Sequence, residues 1–510
     1  MDTKANHQGD VTSLKIKKPI SAIDPFHFTV FALFSLLAIW MVHPILWLFA
    51  MAPKGYDEGW NAFVAMRAMS QLPLYPEDQT LHTNNYPPIS FYVVGILGSM
   101  VGDNIFAGRI VSLISFLIIA GQIIAALRLL RCGWSVATFA GLVFVGGFIG
   151  LHDSYIGSND PQMLGHAVML TGLTVLLVKP GSRRHVIIAA VLMILAGLIK
   201  HNLLALPLAI TAWFLLRDRG ALIVWLLTSS IVAAAALLLL WAFYGGAIFD
   251  NILSSRVYSL SRMLIWTRRS LEVLQIPLAG SLLLIAAQPR DPRNQLIGLY
   301  VGSSMIVGIV FAGGAGSDYS LFFDLLIALS LASGLLLQQV DRWIKIGGAR
   351  ASAVRAAVAV AFILGIGLAL PGDRLLEPFH VREAETRTQE DLAFLAGFNG
   401  RVMCETLALC YWAGKALEVD TFNARQGFLT RGHDENALLD LVAARDFDVI
   451  QLTKADPDRN DERTSRAFMK TLYRHYELTR TSSNGYFFTP LASAAFSGHI
   501  RSQPTVPRSP

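Results

Sequence analysis

Charged residues are scarce in this chain: Asp, Glu, Lys and Arg make up 15% of its 510 residues, while 54% are hydrophobic. An ordinary soluble domain carries about a quarter charged residues, so the composition argues against a water-soluble globule. Cysteine is nearly absent, with three residues, and none has the paired spacing of a structural zinc site. No glycine-rich nucleotide loop is visible. The basic excess, a formal net charge of +6, comes as short Lys and Arg clusters between apolar runs. A nucleic-acid surface gathers such residues into one stripe with aromatics, so membrane topology explains them better and no nucleic-acid partner is expected.

What the sequence has instead is length of apolar run. Stretches of about 20 residues, enough to cross a ~30 Å hydrocarbon core, recur from Phe28 to Pro371 and then stop. Short cytoplasmic loops are enriched in Lys and Arg, and these clusters alternate along the chain. Lys15, Lys17 and Lys18 hold the N-terminus inside. Later inner turns carry Arg128 and Arg131, then Lys179, Arg183 and Arg184, then Arg217 and Arg219, then Arg290 and Arg293, and lastly Arg342, Lys345, Arg350 and Arg355. The pattern predicts about eleven transmembrane helices, with a long outer connection from Tyr244 to Arg269. Ala50-Met51-Ala52 resembles a signal-peptidase site, but the apolar run before it exceeds a signal h-region, so the first span is read as uncleaved.

One apolar stretch, Ile89 to Val101, is too short to cross. Counting it as a span would invert every later loop against the positive-inside pattern, so an interfacial or re-entrant helix is expected. The expected fold is therefore a polytopic α-helical membrane protein with a small C-terminal extracytoplasmic α/β domain. Its parts are a cytoplasmic N-terminus over 1–27, a transmembrane domain over 28–371 with a first outer loop over 52–104, the α/β domain over 372–492, and a disordered tail over 493–510. Within the α/β domain, Glu435 to Arg445 has amphipathic helical spacing and Phe447 to Leu452 reads as a buried strand. Cys404 and Cys410 lie where a disulfide persists. On a straight strand, however, they would stand about 20 Å apart, so only an intervening turn lets them pair, and the spacing favours the unpaired state.

With this topology the uncommon polar residues gather on the outer face. They are Asp57 and Glu58 in Tyr56-Asp57-Glu58-Gly59-Trp60, Tyr86 before Pro87-Pro88, Asp160, Lys200 with His201, Arg256 and Arg262, and Asp318-Tyr319. Each has a bland reading: a solvated loop start for Asp57 and Glu58, a helix cap for Asp160, snorkelling for Lys200. Cations on the outer face nevertheless break the positive-inside bias, which points to an anionic ligand there.

The order of these motifs resembles the C-type glycosyltransferase superfamily, particularly its protein O-mannosyltransferase and lipid A aminoarabinose transferase branch. The resemblance spans most of the chain and rests on Asp57-Glu58, Tyr86-Pro87-Pro88, Asp160, Gly197 to Lys200, and Asp318-Tyr319. Where the aminoarabinose branch carries a Lys before the proline, this chain carries Asn85-Tyr86, which points away from an aminoarabinose donor. The resemblance implies transfer of a sugar from a polyprenyl phosphate to a lipid, glycan or protein hydroxyl, with inversion, on the periplasmic face of a bacterial inner membrane. Asp57, Glu58 and Asp160 are the implied catalytic carboxylates, with Asp57 as general base. Lys200, His201, Arg256, Arg262, Tyr319 and Tyr86 are the implied donor-phosphate site. A divalent metal ion is a candidate cofactor, since Asp57, Glu58, Asp160 and His201 offer hard ligands without diagnostic spacing. The rival class is a transporter or flippase, which would place its ionisable groups near mid-span.

Overall fold

The computed structural model describes residues 24–344, 349–369 and 380–491. The first 23 residues, the junction around 371 and 372, and the predicted tail over 493–510 lie outside the described residues.

Among the described residues, six helices are long and apolar enough to cross a membrane: Pro25–Phe49, Asn104–Leu129, Arg219–Tyr244, Leu260–Ala287, Pro292–Phe311 and Tyr319–Val340. Shorter apolar helices stand at Trp134–Gly150, Gln162–Val178 and Ala205–Arg217, where the charge pattern also placed spans. Burial sorts them. The Tyr319–Val340 segment is 89% buried and forms the axis of the bundle, whereas Arg219–Tyr244 is 6% buried and presents Ile231, Leu238 and Phe243 outward. A helix apolar all round and left uncovered needs a hydrocarbon solvent.

The Ile89–Val101 helix forms over the residues expected. Pro88 precedes it, its C-terminus closes on Gly102 in the left-handed region at φ 85°, and it packs on the Tyr56–Ala68 and Asn104–Leu129 helices. The helix after Asp57 is buried: Trp60, Phe63 and Val64 are 4%, 1% and 3% exposed and face protein. Trp60 packs edge-on against Tyr86 and Phe91. The outer connection ends ten residues early, because Ser259 caps a helix that already begins at Leu260. Arg262, Arg268 and Arg269 interrupt the apolar run without interrupting the helix.

Residues 380–491 hold a four-stranded sheet ordered β1-β2-β4-β3, with β1 at Arg401–Cys404, β2 at Phe447–Leu452, β3 at Tyr476–Ser482 and β4 at Gly485–Pro490. β1 and β2 run parallel, and the other pairings are antiparallel. The strand expected at Phe447 to Leu452 is β2, and the amphipathic helix before it spans Asn436–Ala443. Cys404 and Cys410 are bridged, with Cα atoms 5.9 Å apart. The strand ends at Cys404 and a short helix, Leu407–Trp412, folds Cys410 back, which is the turn that the spacing alone did not supply.

That short helix docks the domain. A Cβ at Gly59 would lie 2.0 Å from the Ala408 backbone nitrogen, so glycine lets the two helices touch through backbone. Trp412 Nε1 donates to Asp103 Oδ2 at 2.8 Å, and the Tyr411 hydroxyl accepts from the Asn104 backbone at 2.9 Å. The domain thus sits on the N-terminus of a long apolar helix and on the helix that carries Asp57.

Candidate active site

A cavity of about 380 Å³ opens between the ends of the membrane helices and the C-terminal domain. Asp57, Tyr86, Asp160, Lys200, Arg256 and Asp318 all line it. Residues dispersed over more than 260 positions therefore converge, and each has a local reason for its place.

Asp57 lies in the first turn of the Tyr56–Ala68 helix, which Gly55 caps. The Asn61 amide pins that turn, donating to the Asp57 carbonyl at 3.0 Å and to the Asn159 carbonyl at 2.8 Å. The Asp57 side chain is exposed, but the surface it exposes is cavity wall. Protein surrounding it disfavours the charged form, and the neighbouring Asp160 charge adds to this, with Lys200 opposing. The net effect pushes its pKa up to about 6.

Asp160 makes a separate contact with each of its carboxylate oxygens. One oxygen, Oδ1, accepts from the Gln162 backbone at 2.7 Å and caps the next helix, while Oδ2 faces Lys200 Nζ at 3.5 Å. Lys200 also stands over the Tyr86 ring, 3.7 Å from its centroid. Burial works against the lysine's charge, but Asp160 and Tyr86 outweigh it and hold the ammonium above its ordinary pKa. Pro87 disfavours helical backbone at Tyr86, so the chain turns there before the next helix begins at Ile89. Arg256 donates to the Ala315 carbonyl at 3.3 Å and lies over the Phe422 ring of the C-terminal domain.

Other expected residues stand elsewhere. Glu58 is fully buried and does not line the cavity. It makes two bonds of 2.7 Å to Arg109, and Arg109 in turn donates to the carbonyls of Trp47, Ala50 and Ala52 at the end of the first span. Adjacent carboxylates thus have separate fates: Glu58 ties the loop to the bundle, and Asp57 faces the cavity. Arg262 pairs with Glu462 of the C-terminal domain. Tyr319 packs edge-on against Trp266, its ring centroid 5.0 Å away, and its neighbour Asp318 lines the cavity in its place. His201 stands behind Tyr86, with ring centroids 6.4 Å apart. Among the described residues no group of three His, Cys, Asp or Glu is placed to hold a metal ion. Of the four hard ligands seen in the sequence, Asp57 and Asp160 share the cavity, while Glu58 and His201 do not line it.

Sequence reading missed several lining residues. Lys54 donates to the carbonyls of Ile156 and Gly157, both at 2.9 Å, and burial pulls its pKa down to about 7. The Tyr155 hydroxyl donates to Asp318 at 2.7 Å. Most of all, the C-terminal domain roofs the cavity. Arg463 stacks 4.2 Å from the Tyr56 ring centroid, and Glu462 accepts from the Gly316 backbone at 3.0 Å. Arg463 is held by buried Glu405, which also takes both guanidinium nitrogens of Arg459 at 2.8 Å. The only signal for this roof was a charged stretch, Asp456 to Arg466, and such a stretch ordinarily reads as solvated loop.

No protein-family model and no curated protein matches the sequence. Solved structures do. ArnT from Cupriavidus metallidurans in the apo state superposes with a TM-score of 0.60 at 14% identity, over 92% of this chain and 100% of that one. The chain shares the ArnT fold. The same protein bound to undecaprenyl phosphate gives 0.57 at 15% identity, over 91% and 99% of the two chains. ArnT is a lipid A aminoarabinose transferase of the C-type glycosyltransferase superfamily, so the fold is the one that the motif order resembled.

Proposed function

We propose that the chain is a membrane glycosyltransferase that takes a sugar from a polyprenyl-phosphate donor and passes it to an acceptor hydroxyl with inversion. One observation carries this reading: a single cavity at the span ends joins a carboxylate of pKa about 6 to a buried lysine and an arginine. A structure of the same fold holding undecaprenyl phosphate supports the choice of donor. The bridged Cys404–Cys410 pair supports a non-cytoplasmic C-terminal domain, since disulfides persist in oxidising compartments. In a bacterial inner membrane that compartment is the periplasm.

In the reaction, the acceptor oxygen attacks the anomeric carbon from the face opposite the lipid phosphate. Asp57 takes the acceptor proton as the new bond forms. The bond from the anomeric carbon to the phosphate oxygen breaks, and its electrons stay on the phosphate. Lys200 and Arg256, which both line the cavity, stabilise that growing negative charge. Asp160 positions Lys200 and, by its own charge, keeps Asp57 basic enough to work near neutral pH.

Two measurements follow. Lys200→Met is expected to weaken undecaprenyl-phosphate binding by at least about tenfold, the worth of one charge-assisted contact, with the purified protein still folded. Unchanged binding in both Lys200→Met and Arg256→Met removes the phosphate assignment. The pH profile of kcat/KM is expected to rise through about 6, since Asp57 acts deprotonated. Replacing Asp160 by Asn removes a like charge, so the rising limb moves to lower pH; a limb that stays put contradicts the coupling.

A further inference from the structure

A second cleft, of about 400 Å³, lies on the far side of the Tyr56–Arg463 stack. Lys54, Gly55, Tyr56 and Arg463 line both it and the first cavity, so the two chambers share one wall. The outer wall belongs to the C-terminal domain: Thr406, Thr453 and the β3–β4 turn from Ser482 to Tyr486. We propose that this cleft seats the acceptor, and that the acceptor is a glycan presenting a sugar hydroxyl to Asp57.

The argument is one of complementarity and rests on the glycosyltransferase reading above. The Thr453 hydroxyl donates to Glu405 at 2.8 Å and the Ser482 hydroxyl to Asp391 at 2.6 Å. Their protons are directed to buried carboxylates; the Asn484 backbone N–H occupies one Ser482 lone pair at 3.0 Å, and the remaining Ser482 lone pair and those of Thr453 are left for a ligand. A ligand dense in hydroxyl donors meets them, and an acyl chain does not. Two basic side chains line the cleft; Lys54 is already engaged by the Ile156 and Gly157 carbonyls, so Arg463 is the one that donates to sugar oxygens. Tyr56 and Tyr486 supply aromatic faces against which the C–H face of a sugar ring packs. The volume lies within the usual span of small-molecule clefts, about 300–1,000 Å³.

Gly55 marks the passage between the chambers. Its backbone is extended at φ −168°, which any residue adopts, and a Cβ there meets nothing within 4 Å. Neither conformation nor packing therefore demands glycine at this position. The open space it leaves adjoins Asp57, where the acceptor hydroxyl must arrive.

The test uses the full-length protein in membranes that contain their own acceptors, supplied with radiolabelled polyprenyl-phosphate sugar. Transferred label is separated into glycan, lipid and protein fractions, and undecaprenyl phosphate binding is measured on each purified variant. Ser483→Trp fills the cleft from an exposed turn position that does not line the first cavity, and Gly55→Leu narrows the passage. Label is expected in the glycan fraction, with both variants losing transfer by at least about tenfold and Ser483→Trp binding undecaprenyl phosphate as the wild type does. Label in protein or lipid overturns the glycan assignment. Unchanged transfer in both variants overturns the cleft, as does loss of undecaprenyl phosphate binding in Ser483→Trp. If the wild type transfers no sugar to any fraction, the enzyme reading itself has failed.

Discussion

Asp57→Asn is expected to lower turnover by at least about 10²-fold while leaving undecaprenyl phosphate binding near that of the wild type. The substitution preserves the size of the side chain and removes its ability to take a proton, and general-base catalysis contributes typically 10²- to 10⁴-fold. Asp57 is suited to the role by position as well as by basicity. Asn61 pins its helical turn to the Asn159 carbonyl, and a displacement of about 1 Å at a reacting group costs on the order of 10²-fold. Normal turnover in Asp57→Asn together with an inactive Asp160→Asn would move the base to Asp160. Normal turnover in both would remove the catalytic reading of this cavity.

A different kind of loss is expected one residue on. Glu58→Gln leaves the Arg109 guanidinium buried without its counter-charge, and breaking such a pair costs about 3–5 kcal/mol. The loss should appear as a lower unfolding temperature in detergent, with activity falling in step with the folded fraction. Burial works against the Glu58 charge, but Arg109 outweighs it and holds the carboxyl below its ordinary pKa. The pair's stabilisation is therefore present above the ordinary carboxylate range and is lost as pH falls through the lowered folded value. The double variant Glu58→Gln with Arg109→Met removes both charges and should recover part of the stability. If the double variant is as unstable as the sum of the two single ones, the pair is not the cause.

The contrast between these neighbours shows how far the sequence could be read. Both carboxylates were visible as a pair after the first span, and consecutive residues on a helix point about 100° apart. Which one meets the cavity depends on Arg109, which lies 51 positions later, and no local pattern carries that information. The helices themselves were legible because apolar run length reports burial in hydrocarbon directly. The early start at Leu260 was not, because Arg262, Arg268 and Arg269 lower hydropathy without breaking a helix. Pro87-Pro88 precede the short helix at Ile89, and the Phe447 to Leu452 strand was found as a short stretch rich in apolar residues, interrupted only by Asp448 and Gln451. The roof formed by Glu462 and Arg463 was invisible, since its residues have the composition of solvated loop and gain meaning only from Gly316, Arg262 and Tyr56 across the cavity.

The most direct measurement is the pool of polyprenyl-phosphate sugars in membranes of cells that lack this protein. One lipid-linked sugar is expected to accumulate, to clear when the wild-type chain is restored, and to persist when Asp57→Asn is restored in its place. A pool unchanged by loss of the protein, or cleared equally by Asp57→Asn, would contradict a lipid-linked sugar transferase that works through Asp57.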